Sequence, residues 1–401
     1  MASFNTAPTT TPTRLLTLAA NASFVPIGIV TVLLSPMLPT LSARWSLNYA
    51  QAGTLFTAQF LASTLAVSLS GALVARYGFR FAINTGLLVI AVSTAMLLDG
   101  SRTLGIASIA GYGAGAGLAV PAANLLVAEL NPRRSSSALN VLNFAWGAGA
   151  VSCPFLVAAA EKAHHLPLLL DSIAGFSFLV MIWIGFTPLH LTGSAATELA
   201  ATITITERKK LRVNWRQRSL PVLLALFFLY VGTESAFGGW LASYANSLKS
   251  VPAAIAVITP SFFYGALTLG RLLEAPLLGR FDDTRVAKIG LLLACIGMLG
   301  LTRSHQVIGI ALSTTAAGLG LSSVYPITIS FLSREFGPAA ARVGSLAFMM
   351  SNLGGACLPG LVGLFSSHFG TLSDGLMIPL IGSAAMYVLY LPAWQSTPEA
   401  P

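Results

Sequence analysis

The sequence predicts an all-α membrane protein, with twelve transmembrane helices in two six-helix bundles that repeat in parallel. Three observations lead there. Only 9% of the 401 residues are charged and 55% are hydrophobic, with a mean hydropathy of +0.77. A soluble domain carries roughly a quarter charged residues, so the main solvent of this chain is lipid. Twelve apolar stretches follow one another, each near the length that crosses a ~30 Å hydrocarbon core. Segments of the first half recur in the second at a nearly constant separation.

The twelve spans run over 15–38, 49–70, 81–98, 104–128, 138–159, 167–188, 219–243, 251–275, 287–302, 307–332, 343–364 and 375–394. Backbone polar groups in lipid must be satisfied within their own segment, which makes each span a helix. The head "MASFNTAPTTTPTR" carries no cleavage pattern, so the first span reads as a retained helix. With the N-terminus placed in the cytoplasm, 17 Lys and Arg fall on the inner side and 5 on the outer. The positive-inside rule then puts both termini in the cytoplasm of a multi-pass inner-membrane protein. The longest polar connection holds the run "ERKKLRVNWRQR", which suits anionic headgroups. It divides the chain into an N-terminal bundle (1–188), a cytoplasmic linker (189–218) and a C-terminal bundle (219–401).

The repeat is read from three matches. "GAGLAVPAANLL" from Gly115 resembles "GLGLSSVYPITI" from Gly318, an offset of 203. "GAVSCPFLV" from Gly149 resembles "GGACLPGLV" from Gly354, an offset of 205, and Arg76 and Arg280 lie 204 apart. Parallel repeats of this kind form carriers whose substrate sits between the halves near the midplane. Helices one, four, seven and ten are expected nearest the cavity.

Several function classes are excluded by what the sequence contains. The net charge of +9 is spread between apolar runs, so no phosphate-tracking nucleic-acid patch forms. Cys153, Cys295 and Cys357 sit inside apolar runs without metal or disulfide spacing. Asn21-Ala22-Ser23 matches a glycosylation sequon inside a span, and His164 and His165 lie in a short outer loop. No nucleotide-binding loop, nucleophile elbow or metal cluster is present, so the chain reads as a secondary carrier and not an enzyme or a primary pump. No cofactor is implied. The chain reads as a monomer, partnered by lipid and a small solute.

"GALVARYGFR" (Gly71 to Arg80) resembles the loop between helices two and three of the major facilitator superfamily, roughly G-x-L-x-D-R-x-G-R-R. Gly71, Leu73, Arg76, Gly78 and Arg80 match; Ala75 stands where the aspartate belongs and Phe79 replaces a basic residue. The glycines permit close helix approach and a tight turn. Within that superfamily the chain is similar to the fucose-permease-like sugar transporters, which include sodium-dependent glucose transporters. The pieces that carry this are "LSPMLPTL", "QAGTLFTAQF", "PAANLLVAEL", "LNVLNFAWGAGAVSCP", "FLYVGTESAFGGW", "FFYGALTLGRLL" and "GLGLSSVYPITISF". The resemblance implies alternating-access transport of a small neutral sugar, a hexose, with sodium or protons as candidate coupling ions. Proton-coupled fucose permeases carry acids in helices one and four; helix one here has none and Val120 stands at the helix-four position.

One carboxylate stands out. Glu234 is the only charged residue from Ser219 to Tyr244, near the middle of the seventh span. A charge there costs at least ~2.5 kcal/mol on insertion scales, so it needs a wet cavity or a partner. Hydrogen bonding to sugar hydroxyls, binding a coupling cation and structural pairing are all open readings. The permeases hold a glutamine or glutamate at the matching place, which implies a substrate role, and the coupling role also falls to Glu234.

Sugar sites combine amides and carboxylates with aromatic faces. On helix five, Asn140, Asn143, Phe144 and Gly147 share a face, followed by Trp146; on helix seven, Tyr230, Glu234 and Phe237 form a stripe with Trp240 at its edge. Gln59, Asn124, Tyr264, Tyr325 and Asn352 complete the candidate substrate residues. Arg76, Arg80, Arg271, Glu274, Arg280 and Asp282 are the candidate gate, with Arg271 and Glu274 facing the "GRFDDTR" loop, where Asp282 and Asp283 meet Arg280 and Arg285. Efflux of hydrophobic drugs by the same fold is the alternative function, and a substrate sensor or lipid-handling protein that no longer cycles is a third.

Overall fold

The computed structural model describes residues 11–187, 219–274, 280–337 and 340–391. They form twelve spans: α1 (Thr11–Val32, resuming as Leu34–Arg44), α2 (Tyr49–Tyr77), α3 (Phe79–Ala95), α4 (Arg102–Leu130), α5 (Ser135–Lys162), α6 (Leu166–Phe186), α7 (Ser219–Ser247), α8 (Ala253–Glu274), α9 (Asp283–Arg303), α10 (Val307–Ser322, resuming as Val324–Phe336), α11 (Ala340–Phe369) and α12 (Leu372–Gly375, resuming as Met377–Leu389). Eleven helices are long and apolar enough to cross a membrane, and α3 is a shorter apolar helix. No strand occurs among the described residues. The expected linker, 189–218, lies outside them.

Three spans are interrupted for one reason. Segments end at Val32, Ser322 and Gly375, each four residues before a proline (Pro36, Pro326 and Pro379). Proline has no N–H for the i−4 carbonyl, and its ring crowds that carbonyl. Elsewhere polar side chains cap the starts of α2, α4, α9 and α12. At the start of α2, for example, Asn48 accepts from Gln51 N at 2.8 Å and the Gln51 side chain answers with a bond to Asn48 N at 3.2 Å, a capping box.

Packing repeats between the halves. In the first, α1 packs on α5, and α4 on α2 and α3; in the second, α7 packs on α11, and α10 on α8 and α9. Glycines permit each approach. A Cβ on Gly149 would lie 2.2 Å from Val25 O, and one on Gly354 only 1.9 Å from Phe228 O. Likewise Gly86 abuts Gly115 O at 2.5 Å, and Gly290 abuts Gly320 O at 2.5 Å. Every pair is separated from its counterpart by the same 203 to 205 residues seen in the sequence repeat.

The halves meet along two long seams, α2 with α11 and α5 with α8, and where the second segment of α1 packs on α7. The face holding the 44–49, 162–166 and 247–253 connections is called the far face, and the opposite one, rich in Arg and Lys, the basic face. Toward the far face α2 and α11 are nearly in backbone contact: Cβ atoms on Gly53 and Gly363 would stand 3.2 Å from Gly360 Cα and 2.4 Å from Tyr49 O. Trp240 fills the space beside them, its Nε1 donating to Pro359 O at 3.0 Å and its ring 6.0 Å from Phe56 and 6.3 Å from Tyr49. The far-face half of the interface is closed.

Candidate functional site

A cavity lies between the halves at mid-membrane depth, lined by Thr31, Val32, Ser35, Phe56, Phe60, Trp146, Glu234, Ser235, Gly239 and Tyr264. Five helices supply these residues, α1, α2, α5, α7 and α8. The expectation that α4 and α10 would stand nearest the cavity is therefore corrected. On α4, the glycines pack into α2 and α3: Cβ atoms on Gly113, Gly115 and Gly117 would strike Gln59 O, Gly86 O and Ser63 O. That packing commits α4 to the bundle. The cavity volume is about 40 Å³, room for water but far below the roughly 300 Å³ of a small-molecule pocket. The site must widen to load a solute.

Each wall has a distinct chemistry. The α1 wall sets the Thr31 and Ser35 hydroxyls beside Val32, around the interruption before Pro36. Ser35 Oγ donates across the interface to Gly238 O at 2.6 Å. The aromatic wall joins Phe56 and Phe60 of α2 to Trp146 of α5 and Tyr264 of α8, the last two meeting edge to face at 6.5 Å. On α7, Glu234 is the one carboxylate of the lining.

The structure brings together some of the sequence candidates and separates others. Trp146, Glu234 and Tyr264 line the cavity. Gln59 stands behind the lining, its Nε2 holding Thr31 O at 3.1 Å while its Oε1 is buried without a partner. Tyr230 and Tyr325 stack on each other at 5.1 Å below Glu234. Asn124, Asn143 and Asn352 are outside the lining, each donating to the carbonyl four residues back on its own helix, Val120, Leu139 and Phe348. Trp240 belongs to the far-face seam.

Among the gate candidates, Arg271 departs most from expectation. It does not face the loop after α8: its Nη2 donates to Tyr230 Oη at 3.2 Å, and its guanidinium and the Glu234 carboxylate interact electrostatically. The reason is direction. Helical side chains point back toward the N-terminus, and α8 runs from the far face to the basic face, so Arg271 reaches into the membrane. Its place three residues before Glu274 at the end of α8 makes Arg271 look like a gate residue in the sequence and hides its relation to Glu234. Asp282 caps α9 by accepting from Arg285 N at 3.0 Å, and Asp283 pairs with Arg334 of α10. The expected meeting of Asp283 with Arg280 and Arg285 is thereby corrected. Arg80 donates to Thr187 O at the end of α6, Arg76 lies over the Tyr77 ring at 5.2 Å, and Arg280 is exposed. The Glu274 side chain lies outside the described residues.

A family model described as "Major Facilitator Superfamily" matches residues 21–305. The chain belongs to the Major Facilitator Superfamily. Among its relatives, sodium-dependent glucose transporter 1A of Mus musculus is 21% identical, covering 92% of this chain and 94% of that protein. Quinolone resistance protein NorA of Staphylococcus aureus is 23% identical over 86% and 87%. Among solved structures, the E. coli fucose:proton symporter FucP superposes with a TM-score of 0.63 at 20% identity, covering 96% of this chain and 99% of that one. This superfamily consists of transporters, so the chain is a transporter and not an enzyme, and its twelve spans are those of the major facilitator fold.

Proposed function

We propose that this carrier moves a small neutral sugar, a hexose, by rocking the two halves around the Glu234 cavity, with both termini in the cytoplasm of the inner membrane. The observation that carries the reading is the cavity itself. Glu234 and the hydroxyl side chains of Thr31, Ser35, Ser235 and Tyr264 share one lining with the rings of Phe56, Phe60 and Trp146. Such a site offers hydrogen bonds to sugar hydroxyls and apolar faces to their C–H surfaces. The glucose and fucose substrates named for its relatives agree with it. Sodium or protons are the coupling ions to test, and no cofactor enters the cycle.

The experiment is uptake of radiolabelled glucose into proteoliposomes, with no gradient and with imposed sodium or proton gradients. Saturable uptake that competing hexoses suppress supports the reading; uptake at the protein-free background under every gradient overturns it. A second reading, efflux of hydrophobic drugs, has one observation in its favour: all four amide candidates lie outside a lining that holds four aromatic rings. Extrusion of a lipophilic cation, together with absent hexose uptake, would select it.

A further inference from the structure

Glu234 and Arg271 are two charges in the middle of one bundle, and the distance between them is bridged. The Tyr230 hydroxyl accepts from Arg271 Nη2 at 3.2 Å, and Tyr230 lies one helical turn before Glu234 on the same helix. Tyr325 of α10 packs its ring on Tyr230 at 5.1 Å and holds the bridge in place. Arg271 and Glu234 make no ion pair within 4 Å, so Arg271 does not clasp the carboxylate directly. Arg271 Nε is buried without a partner. A lone charge in this setting is costly, and an opposite charge in the same low-dielectric region offsets part of that cost.

We propose that Arg271 is the resident counter-charge of Glu234: acting through the Tyr230 hydroxyl, it offsets part of the cost of an ionised carboxylate there and leaves that carboxylate turned to the cavity when the carrier is empty. This rests on reading the Glu234 cavity as the transport site. A direct pair would occupy the carboxylate. A bridged pair leaves its oxygens open to a solute while the centre as a whole stays neutral. The empty carrier can then reorient without a proton or sodium ion bound at Glu234. Arg271 is a positioning residue, since it touches the cavity only through others.

Other ionisable groups around Glu234 do not replace it. Those acting on Glu234 or its bridge are Tyr230 on its own helix, Tyr264 and Arg271 on α8, and Tyr325 on α10. The lining side chains from α1, α2 and α5 are neutral. From α11 and α12 the groups against Gly232 and Thr233 are Gly354, Leu358 and Gly382. Arg271 is therefore the single cation in the set.

The test needs no substrate, so its outcome is separate from that of the sugar reading. Thermal unfolding of the purified carrier in detergent is followed between about pH 5 and about pH 9, a range spanning ordinary and strongly raised carboxyl titration, for wild type, R271Q, R271K, E234Q and E234Q/R271Q. Without the guanidinium, the buried site tolerates the acid far better than the carboxylate. R271Q should therefore lose stability, relative to wild type, as pH rises. R271K should keep the wild-type profile, and E234Q/R271Q should show no such loss. If R271Q is recovered only as aggregate, monodisperse E234Q/R271Q supports the proposal, whereas an aggregated double variant with folded R271K and E234Q overturns it. An R271Q profile parallel to wild type, or a double variant as pH-sensitive as R271Q, also overturns it.

Discussion

The two halves share a backbone and differ in charge. Adding the repeat offset of 203 places Thr31 of α1 opposite Glu234 of α7, and Ile27 opposite Tyr230. Thr31 Oγ1 turns back to Ile27 O, whereas Glu234 acts on Tyr230 and, beyond it, Arg271. On α2 and α8, where the offset is 204, Phe60 answers to Tyr264, both in the lining, and Val67 answers to Arg271. One half thus supplies a neutral wall and the other a charged network on the same frame. The lesson is that glycines fix the frame, because no other residue fits at those contacts, while the side chains facing the cavity diverge freely. Asymmetry of chemistry can arise without asymmetry of fold.

The largest effects should come from breaking the shared frame. Gly149→Val and Gly354→Val drive a Cβ to within 2.2 Å and 1.9 Å of a carbonyl oxygen, and overpacking against backbone costs roughly 1–3 kcal/mol or more. Both variants should lose the monodisperse peak in size-exclusion chromatography; if one half tolerates its valine, the two frames are not equivalent. Next comes the charge. Glu234→Gln retains hydrogen bonds but cannot release a proton and is a poor cation ligand. It should keep sugar exchange and lose accumulation driven by sodium or protons, while Thr31→Val should leave accumulation within about threefold of wild type, the size of a weak hydrogen bond. Equal accumulation by wild type and Glu234→Gln would remove Glu234 from coupling.

Smaller effects probe single contacts. Tyr264→Phe makes the α8 wall resemble its α2 counterpart Phe60, and should weaken hexose binding by about three- to tenfold, the loss of one neutral hydrogen bond. Isothermal titration would read it, and unchanged affinity would mean that the hydroxyl does not meet the solute. The smallest is Asp283→Asn at the basic face. Arg334 in that pair is largely exposed, so thermal stability should change by about 1 kcal/mol or less.

The fold was legible because lipid is a demanding solvent: apolar length and glycine spacing leave few alternatives for Gly149, Gly354 or the twelve spans. Boundaries were less so. α5 begins at Ser135 and ends at Lys162, beyond the apolar window, because hydrophobicity marks the stretch that meets lipid and not where the backbone ladder stops. In the site, Glu234, Trp146 and Tyr264 were readable as rare side chains in an apolar run. Thr31, Ser35, Phe56 and Phe60 were not, since a threonine or phenylalanine in a membrane helix looks the same whether it faces a cavity, lipid or a neighbour. The repeat itself held the missing information, as it maps Glu234 onto Thr31 and Tyr264 onto Phe60. Arg271 needed the direction of α8 as well as its position.

The glycine contacts of the far-face seam have a thermodynamic consequence. Where Gly53 meets Gly360 and Gly363 meets Tyr49 O, the surfaces that touch are largely peptide backbone. Parting them would hydrate amides and α-carbons together. Exposed polar surface lowers the heat capacity and exposed apolar surface raises it, so this stretch contributes little net change. The glycine contacts should therefore bend the van't Hoff line of seam opening less than the Trp240, Phe56 and Tyr49 rings beside them do.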